Sequence, residues 1–254
     1  MKLDYEVIIP SRKRSDRLKG WKMLFPFAKL FVHESEHDDY AKVVGDENVL
    51  CHKLHGIWAI RKEMLRQSNK ETVIQIDDDV KAVFNINGDA RAFRKIETPE
   101  HVKQILENSL IVAKDLNINL FGWDLQGKPQ YFEPTNPFRL CAVCSTAFGT
   151  IGRDIMPDER FFTSGDMDLT LQALLINRIV LMDTRYYFDN GQVGKGAGGL
   201  QGLRTSQTEK QATELLRNKW GAHVYRGMSR TKGKMGGYSM KICVERKNPL
   251  ASTR

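Results

Sequence analysis

Hydrophobic residues recur along this chain in two rhythms, as short apolar or β-branched runs and as longer stretches with apolar positions three and four residues apart. The first rhythm predicts buried strands and the second amphipathic helices. Glu6-Val7-Ile8-Ile9-Pro10 opens as a strand that Pro10 stops, and Leu30-Phe31-Val32 is a second. His33 to Tyr40 reads as a polar turn into a short helix, although its His and acidic residues also suit a metal site. Val43-Val44 and Val49-Leu50 predict a strand region interrupted by Gly45 to Asn48. Leu54 to Gln67 predicts a helix with Leu54, Ile57, Trp58, Met64 and Leu65 on one apolar face. Thr72-Val73-Ile74-Gln75-Ile76 then reads as a strand buried on both sides, and it ends in Asp77-Asp78-Asp79 before Val80.

Strand and helix thus alternate up to the aspartates, as in an open α/β sheet. Lys81 to Ile86 predicts a strand whose hairpin turn is Asn87-Gly88-Asp89. Thr98-Pro99-Glu100 starts a helix running to Leu116, with Thr98 as its cap. Asn119 to Trp123 is the next strand, Pro129 to Phe138 a loop, and Leu140 to Gly149 a strand continued by Ile151-Gly152-Arg153. Ser164 or Asp166 caps a helix with Leu169, Leu171, Ala173, Leu174, Leu175 and Ile176 as its apolar positions. Ile179 to Met182 is a strand, with Tyr186-Tyr187-Phe188 as an edge. Ser206 caps a helix to Lys219, and Tyr238 to Glu245 is a last strand. This pattern predicts one main domain over residues 1–205 and a C-terminal segment, 206–254, packed on it.

With 254 residues, 41% hydrophobic and 28% charged, the chain can bury a full core. No apolar run reaches the length of a membrane span and the N-terminus leads straight into a strand, so a cytoplasmic protein is expected. The net charge of +8 is unevenly placed: from Arg217 to Arg254 there are ten Lys or Arg and one acid, Glu245. A second cluster is Arg12, Lys13, Arg14, Arg17 and Lys19. Such surfaces attract polyanions, nucleic acid foremost and anionic membrane surface less so. Of the four cysteines only Cys141 and Cys144 have a metal-like spacing, and without a second such pair they are expected to be buried thiols.

Three adjacent carboxylates repel one another, and each is driven towards its neutral form unless a cation sits among them. Mg²⁺ or Mn²⁺ with oxygen ligands meets that need, although a solvated acidic turn fits the same residues. The loop after Pro10 offers Ser11, Arg12 and Arg14, a set suited to a diphosphate. The first 80 residues hold neither a GxGxxG nor a GxxxxGK[ST] sequence, which removes a dinucleotide-binding fingerprint and a P-loop from that half. Gly191 to Gly199 holds five glycines around Lys195; it fits a loop that orders over an anion or a plain linker. A second acidic group, Asp166 and Asp168, opens the helix after Ser164-Gly165.

Three pieces in order, Val7-Ile8-Ile9-Pro10-Ser11-Arg12, Asp77-Asp78-Asp79 and Gly165-Asp166-Met167-Asp168-Leu169, resemble the GT-A class of nucleotide-sugar glycosyltransferases. The resemblance spans about residues 5–190 and implies a GT-A, Rossmann-like α/β fold: a mixed, mostly parallel sheet flanked by helices, here with a basic C-terminal extension. Within that class the basic C-terminal region is most similar to the TET-associated glycosyltransferases of bacteriophages. That resemblance implies transfer of a sugar from a UDP-sugar or similar donor to 5-hydroxymethylcytosine or 5-hydroxymethyluracil in DNA, in the host cytoplasm. Gly165-Asp166 stands where many relatives have Glu-Asp, which leaves the base open between Asp166 and Asp168.

The resemblance places Mn²⁺ or Mg²⁺ on Asp79 and Asp77, with His223 completing the shell and Asp78 facing the ribose or ordering the loop. Pro10, Ser11, Arg12, Arg14 and Lys195 would hold the nucleotide diphosphate. Asp166, or else Asp168, would be the general base. Arg226, Arg230, Lys232 and Lys234 would grip DNA phosphates, and Trp123, Tyr131 and Phe132 would stack on an extruded base or fill its gap. Two other readings fit the same residues: a GT-A enzyme acting on a polysaccharide or protein, and a metal-dependent nucleic-acid binder or nuclease.

Overall fold

The computed structural model describes residues 3–89, 92–124, 132–190, 205–226 and 240–244. Ten strands form one sheet: β1 (Tyr5–Pro10), β2 (Lys29–His33), β3 (Val49–His52), β4 (Thr72–Ile76), β5 (Ala82–Asp89), β6 (Ala92–Ile96), β7 (Leu120–Asp124), β8 (Phe138–Arg139), β9 (Ala147–Ile151) and β10 (Leu181–Asp189). Two more, β11 (Val224–Arg226) and β12 (Met240–Ile242), pair separately. The helices are α1 (Lys19–Leu24), α2 (His37–Val44), α3 (Ile57–Gln67), α4 (Pro99–Asp115), α5 (Gly165–Asn177) and α6 (Ser206–Trp220).

The strand order is β3-β2-β1-β4-β9-β7-β10-β5-β6, with β8 beside β10. Strands β1 to β4, β7 and β10 run one way, while β9 and β5 run against them. The sheet is therefore mixed and mostly parallel in direction, as expected. The chain winds from β1 out to β3, then returns to lay β4 on the other side of β1. That reversal opens a crevice outside the carboxyl ends of β1 and β4, the position where open α/β sheets bind ligands.

Side chains alternate across these strands and so divide the core between two faces. Val7, Ile9, Leu30, Val32, Ile74 and Ile76 pack with residues of α1, α2 and α4. Ile8, Phe31 and Val73 face the other way, onto Met64 and Leu65 of α3. On the α3 face Trp58 joins Leu169, Leu171 and Leu174 of α5 and Leu216 of α6. Val224 and Val244 belong to the same cluster, so the described C-terminal residues share the core of the main sheet.

Several boundaries differ from the sequence expectation, three of them because a positive-φ glycine sets them. Val43-Val44 ends α2, since Gly45 at φ 87° terminates the helix and strand begins only at Val49. Gly56, at φ 89°, likewise delays α3 to Ile57 and leaves Leu54 exposed. Asn87-Gly88-Asp89 stays in β5, where Asp89 pairs with Ala92. Residues 140–146 are not strand; β9 starts at Ala147, and Gly152 at φ 69° ends it. Tyr186 to Phe188 is not an edge, because β10 is paired to β5 and β7 on either side. The cap of α6 is Thr205, in a capping box with Thr208, and not Ser206. Cys144 is buried, and burial pushes its thiol up to about 12; Cys141 is exposed. No helix among the described residues is long and apolar enough to cross a membrane.

Candidate active site

The three aspartates leave the crevice in different directions because the alternation of β4 carries on past its end. Val73 and Gln75 face α3, and Asp77 follows them: Arg61 of α3 reaches Asp77 Oδ1 at 2.5 Å and Gln75 Oε1 at 3.4 Å. Asp78 turns to the opposite face, where Ser11 donates to it at 2.7 Å and Arg14 forms a short ion pair. Tyr40 of α2 holds this corner, with its hydroxyl 2.8 Å from Ser11 Oγ and accepting the Arg14 amide at 3.0 Å. The ends of β1 and β4 are thereby cross-linked through Ser11 and Asp78.

Asp79 lies at the tip, its side chain 40% exposed and 3.8 Å from Arg14 Nη1. Its Oδ1 is buried without a hydrogen-bond partner. An orphaned carboxylate oxygen beside two further carboxylates suits a hard cation, because ligation would satisfy the lone pairs that the protein leaves open. Burial raises all three carboxyls above the ordinary value. Asp77 is pushed up to about 7, chiefly by desolvation, with Asp79 and Asp78 adding to the effect and Arg61 opposing it. Asp78 and Asp79 shift upwards for the same leading reason against the pull of Arg14.

His223 does not complete this set. Its Nδ1 lies 3.1 Å from the Cys243 carbonyl at the start of the β11–β12 pair, and no group of three His, Cys, Asp or Glu among the described residues is arranged to hold a metal. Arg12 is exposed and lies close enough to His52 to help lower its pKa, so the two candidate phosphate arginines part: Arg14 turns to the aspartates and Arg12 to the histidine side. Pro10 ends β1 as expected.

The second acidic group splits as well. Asp168 is fully buried and receives Lys219 at 2.6 Å, Trp220 Nε1 at 2.8 Å and Gln172 Nε2 at 2.8 Å. Those partners occupy both of its oxygens, which removes it as a proton acceptor for substrate. Asp166 is half-buried in the first turn of α5; its Oδ1 accepts the Met167 amide at 3.0 Å, and its charge helps raise the Cys144 thiol. Asp166 is thus the less buried carboxylate of this pair.

Arg61 is the functional residue that sequence reasoning missed. It is 4% exposed, with its guanidinium 5.2 Å from the centroid of the Trp58 ring and 4.9 Å from that of Phe148. Trp58 in turn explains Gly165, since a Cβ there would lie 2.4 Å from the indole. One aromatic ring therefore supports both Arg61, on Asp77, and the start of the helix that carries Asp166. Missed too was His52, paired in register with His33 at the ends of β2 and β3, with His55 stacked on His33 at 5.7 Å. Burial, then the charges of His33, Arg12 and His55, lower His52 to about 4.

Trp123 cannot stack on a nucleic-acid base. It is buried against Phe188 at 5.0 Å and Phe121 at 5.6 Å, and its Nε1 donates to Ser109. Phe132 is half-buried. Arg226 belongs to β11, whereas Tyr131, Lys195, Arg230, Lys232 and Lys234 lie outside the described residues. Asn190, which precedes the glycine-rich segment, donates to Thr146 at 3.2 Å, and the Thr146 carbonyl accepts the Asp77 amide at 2.9 Å. Asn190 is thereby joined through Thr146 to the start of the aspartate run.

No protein-family model matches the chain, and no curated protein matches its sequence. Solved structures do share its architecture. Glucosyl-3-phosphoglycerate synthase from Mycobacterium tuberculosis, in complex with Mn²⁺, UDP and glucosyl-3-phosphoglycerate, superposes with a TM-score of 0.50 at 10% identity over 87% of this chain and 82% of that one. S. aureus TarS in complex with UDP-GlcNAc gives 0.49 at 14% identity over 85% and 67%. In a further TarS structure, with a TM-score of 0.47 and 15% identity, 85% of this chain spans 66% of the neighbour. The sheet order and the synthase together identify a GT-A-like fold.

Proposed function

We propose that this chain is a nucleotide-sugar-dependent glycosyltransferase, binding the donor diphosphate at the carboxyl ends of β1 and β4 and using Asp166 as general base. The observation that carries the reading is the division of labour at Asp77-Asp78-Asp79. Two carboxylates are held by Arg61 and by Ser11 with Arg14, and the third presents an unpartnered oxygen at the switch point of the sheet. The mycobacterial synthase, of like architecture, was solved with Mn²⁺ and UDP, which supports a UDP-sugar as donor here.

A Mn²⁺ or Mg²⁺ ion held by Asp79 with Asp77 would supply Lewis-acid stabilisation of the diphosphate leaving group. Arg14, already drawn to Asp78, stands ready to share its charge with an incoming phosphate, and Ser11 fixes the loop on which it stands. Lys195 is a further phosphate contact in this scheme. As an acceptor hydroxyl bonds to the anomeric carbon, Asp166 takes its proton and the glycosidic electron pair leaves with the nucleotide diphosphate.

The acceptor in this reading is the hydroxymethyl group of 5-hydroxymethylcytosine or 5-hydroxymethyluracil in DNA. Its support is the charge of the C-terminal residues, where Arg226, Arg230, Lys232 and Lys234 would bind phosphates. The test is incubation with a panel of UDP-sugars, Mn²⁺ and an oligonucleotide carrying 5-hydroxymethylcytosine, read by mass spectrometry. The expected result is a hexose- or pentose-sized mass gain absent from the cytosine control and reduced about 100-fold or more by Asp166→Asn. Sugar transfer to a polysaccharide or protein alone would replace the acceptor, and metal-dependent nicking would replace the reaction.

A further inference from the structure

Helix α6 ends in Lys219-Trp220, and both side chains turn onto the first turns of α5. Lys219 Nζ lies 2.6 Å from Asp168 Oδ1, and Trp220 Nε1 donates to the same oxygen at 2.8 Å. Gln172 donates to Oδ2 at 2.8 Å while its amide also ties down both backbone groups of Met156. Lys219 reaches Asp158 as well, at 2.9 Å, and its ammonium lies over the rings of Phe161 and Trp220 at 5.7 and 5.1 Å. The ion pair of Asp168, 0% exposed, is therefore with Lys219 of α6, which it shares with Asp158.

Asp168 sits two residues after Asp166 in the first turn of α5, where the Met167 and Asp168 amides donate to the Ser164 carbonyl at 3.1 and 3.3 Å. Ser164 enters the helix in the left-handed region at φ 62° and makes no side-chain cap bond. A left-handed non-glycine entry persists only where its surroundings impose it. Here they are Gly165 packed on Trp58 and the three donors on Asp168. A buried ion pair adds little net stability over apolar packing. What three charged or polar donors on two oxygens do provide is one orientation of the carboxylate and of the backbone that bears it.

We infer that Lys219 is a positioning residue: acting through Asp168, it fixes the first turn of α5 and so the direction in which Asp166 presents its carboxylate. The inference rests on Asp166 being the general base of the proposed reaction. The last turn of α6 thereby couples the C-terminal part of the chain to the chemistry, although Lys219 touches no reacting atom.

The experiment uses the full chain with Mn²⁺ and UDP-glucose or UDP-N-acetylglucosamine, water serving as acceptor and UDP release as the readout. Lys219→Met is expected to lower kcat about tenfold or more while the donor KM stays within about twofold, because a base out of place loses rate and not donor affinity. Lys219→Arg should recover kcat to within about threefold. A double variant, Asp168→Asn with Lys219→Met, leaves no buried charge unpaired and guards against simple unfolding; it should show the same loss. An unchanged kcat, or a loss carried wholly by KM, overturns the inference. Amide exchange gives a readout independent of turnover: residues 166–171 should exchange faster in the double variant while 72–76 stay protected, and equal exchange in both also overturns it. If the wild-type chain releases no UDP from any donor, the glycosyltransferase reading fails, and the exchange measurement still decides whether Lys219 fixes this turn.

Discussion

Asp77, Asp78 and Asp79 are the same residue three times, yet the fold gives each a different environment. Asp77 has Arg61, Asp78 has Ser11 and Arg14, and Asp79 keeps an oxygen with none. The raised pKa of Asp77 has a measurable consequence. Between the ordinary carboxylate value of 3.8 and about 7, the folded chain holds a proton there that the unfolded chain has released. The native state therefore binds more protons, and this group's contribution to stability is lost as pH rises through about 7. His52, lowered to about 4, acts with the opposite sign: its contribution is present above 6.5 and is lost as pH falls through about 4. Urea midpoints of wild type and Asp77→Asn, taken at pH 5 and pH 8 without divalent ions, separate the two. The variant should gain on wild type at pH 8 relative to pH 5, and an unchanged difference contradicts the assignment. At this scale the carboxylates were legible in the sequence, but Arg61 was not. An arginine within an amphipathic helix reads as solvent-facing, and only the approach of α3 to the end of β4 makes it a buried countercharge.

Among elements, the start of α5 is the tightest constraint. Gly165→Ala would drive a Cβ to 2.4 Å from the Trp58 indole, whose ring also backs Arg61. Overpacking of this kind costs about 1–3 kcal/mol, and Trp58→Leu in the same chain should relieve part of it; strict additivity in a double-mutant cycle would deny the contact. At α6, Thr205→Ala removes the side-chain acceptor of the Thr208 amide and should cost about 1 kcal/mol by chemical denaturation, whereas Ser206→Ala should be nearly silent. Periodicity gave the existence and type of most elements, because burial on two faces of a sheet requires it. Boundaries failed where one positive-φ residue decides them, as at Gly45, Gly56 and Gly152, since spacing carries no record of φ. The 140–146 segment failed for a related reason: an apolar run was read as strand where the chain forms none of the paired strands.

Across the whole molecule, the sheet reverses direction between β3 and β4 and so opens a crevice where the first and second motifs meet, while α3 links them to the third. Motif order was visible in the sequence; the crossing of α3 between motifs was not, because it joins residues far apart in the chain. The charge of the chain adds a separate expectation. If the C-terminal basic residues contact DNA, retention on a duplex should fall steeply between about 50 and 200 mM salt, and a flat response would leave the charge to solubility. The central claim is a metal-assisted nucleotide site at Asp79, and titration calorimetry of UDP into the protein with and without Mn²⁺ addresses it most directly. The account predicts binding that depends on Mn²⁺ and is lost in Asp79→Ala while that variant keeps its thermal midpoint. Equal binding of UDP by wild type and Asp79→Ala, or binding by neither in the presence of Mn²⁺, would contradict it.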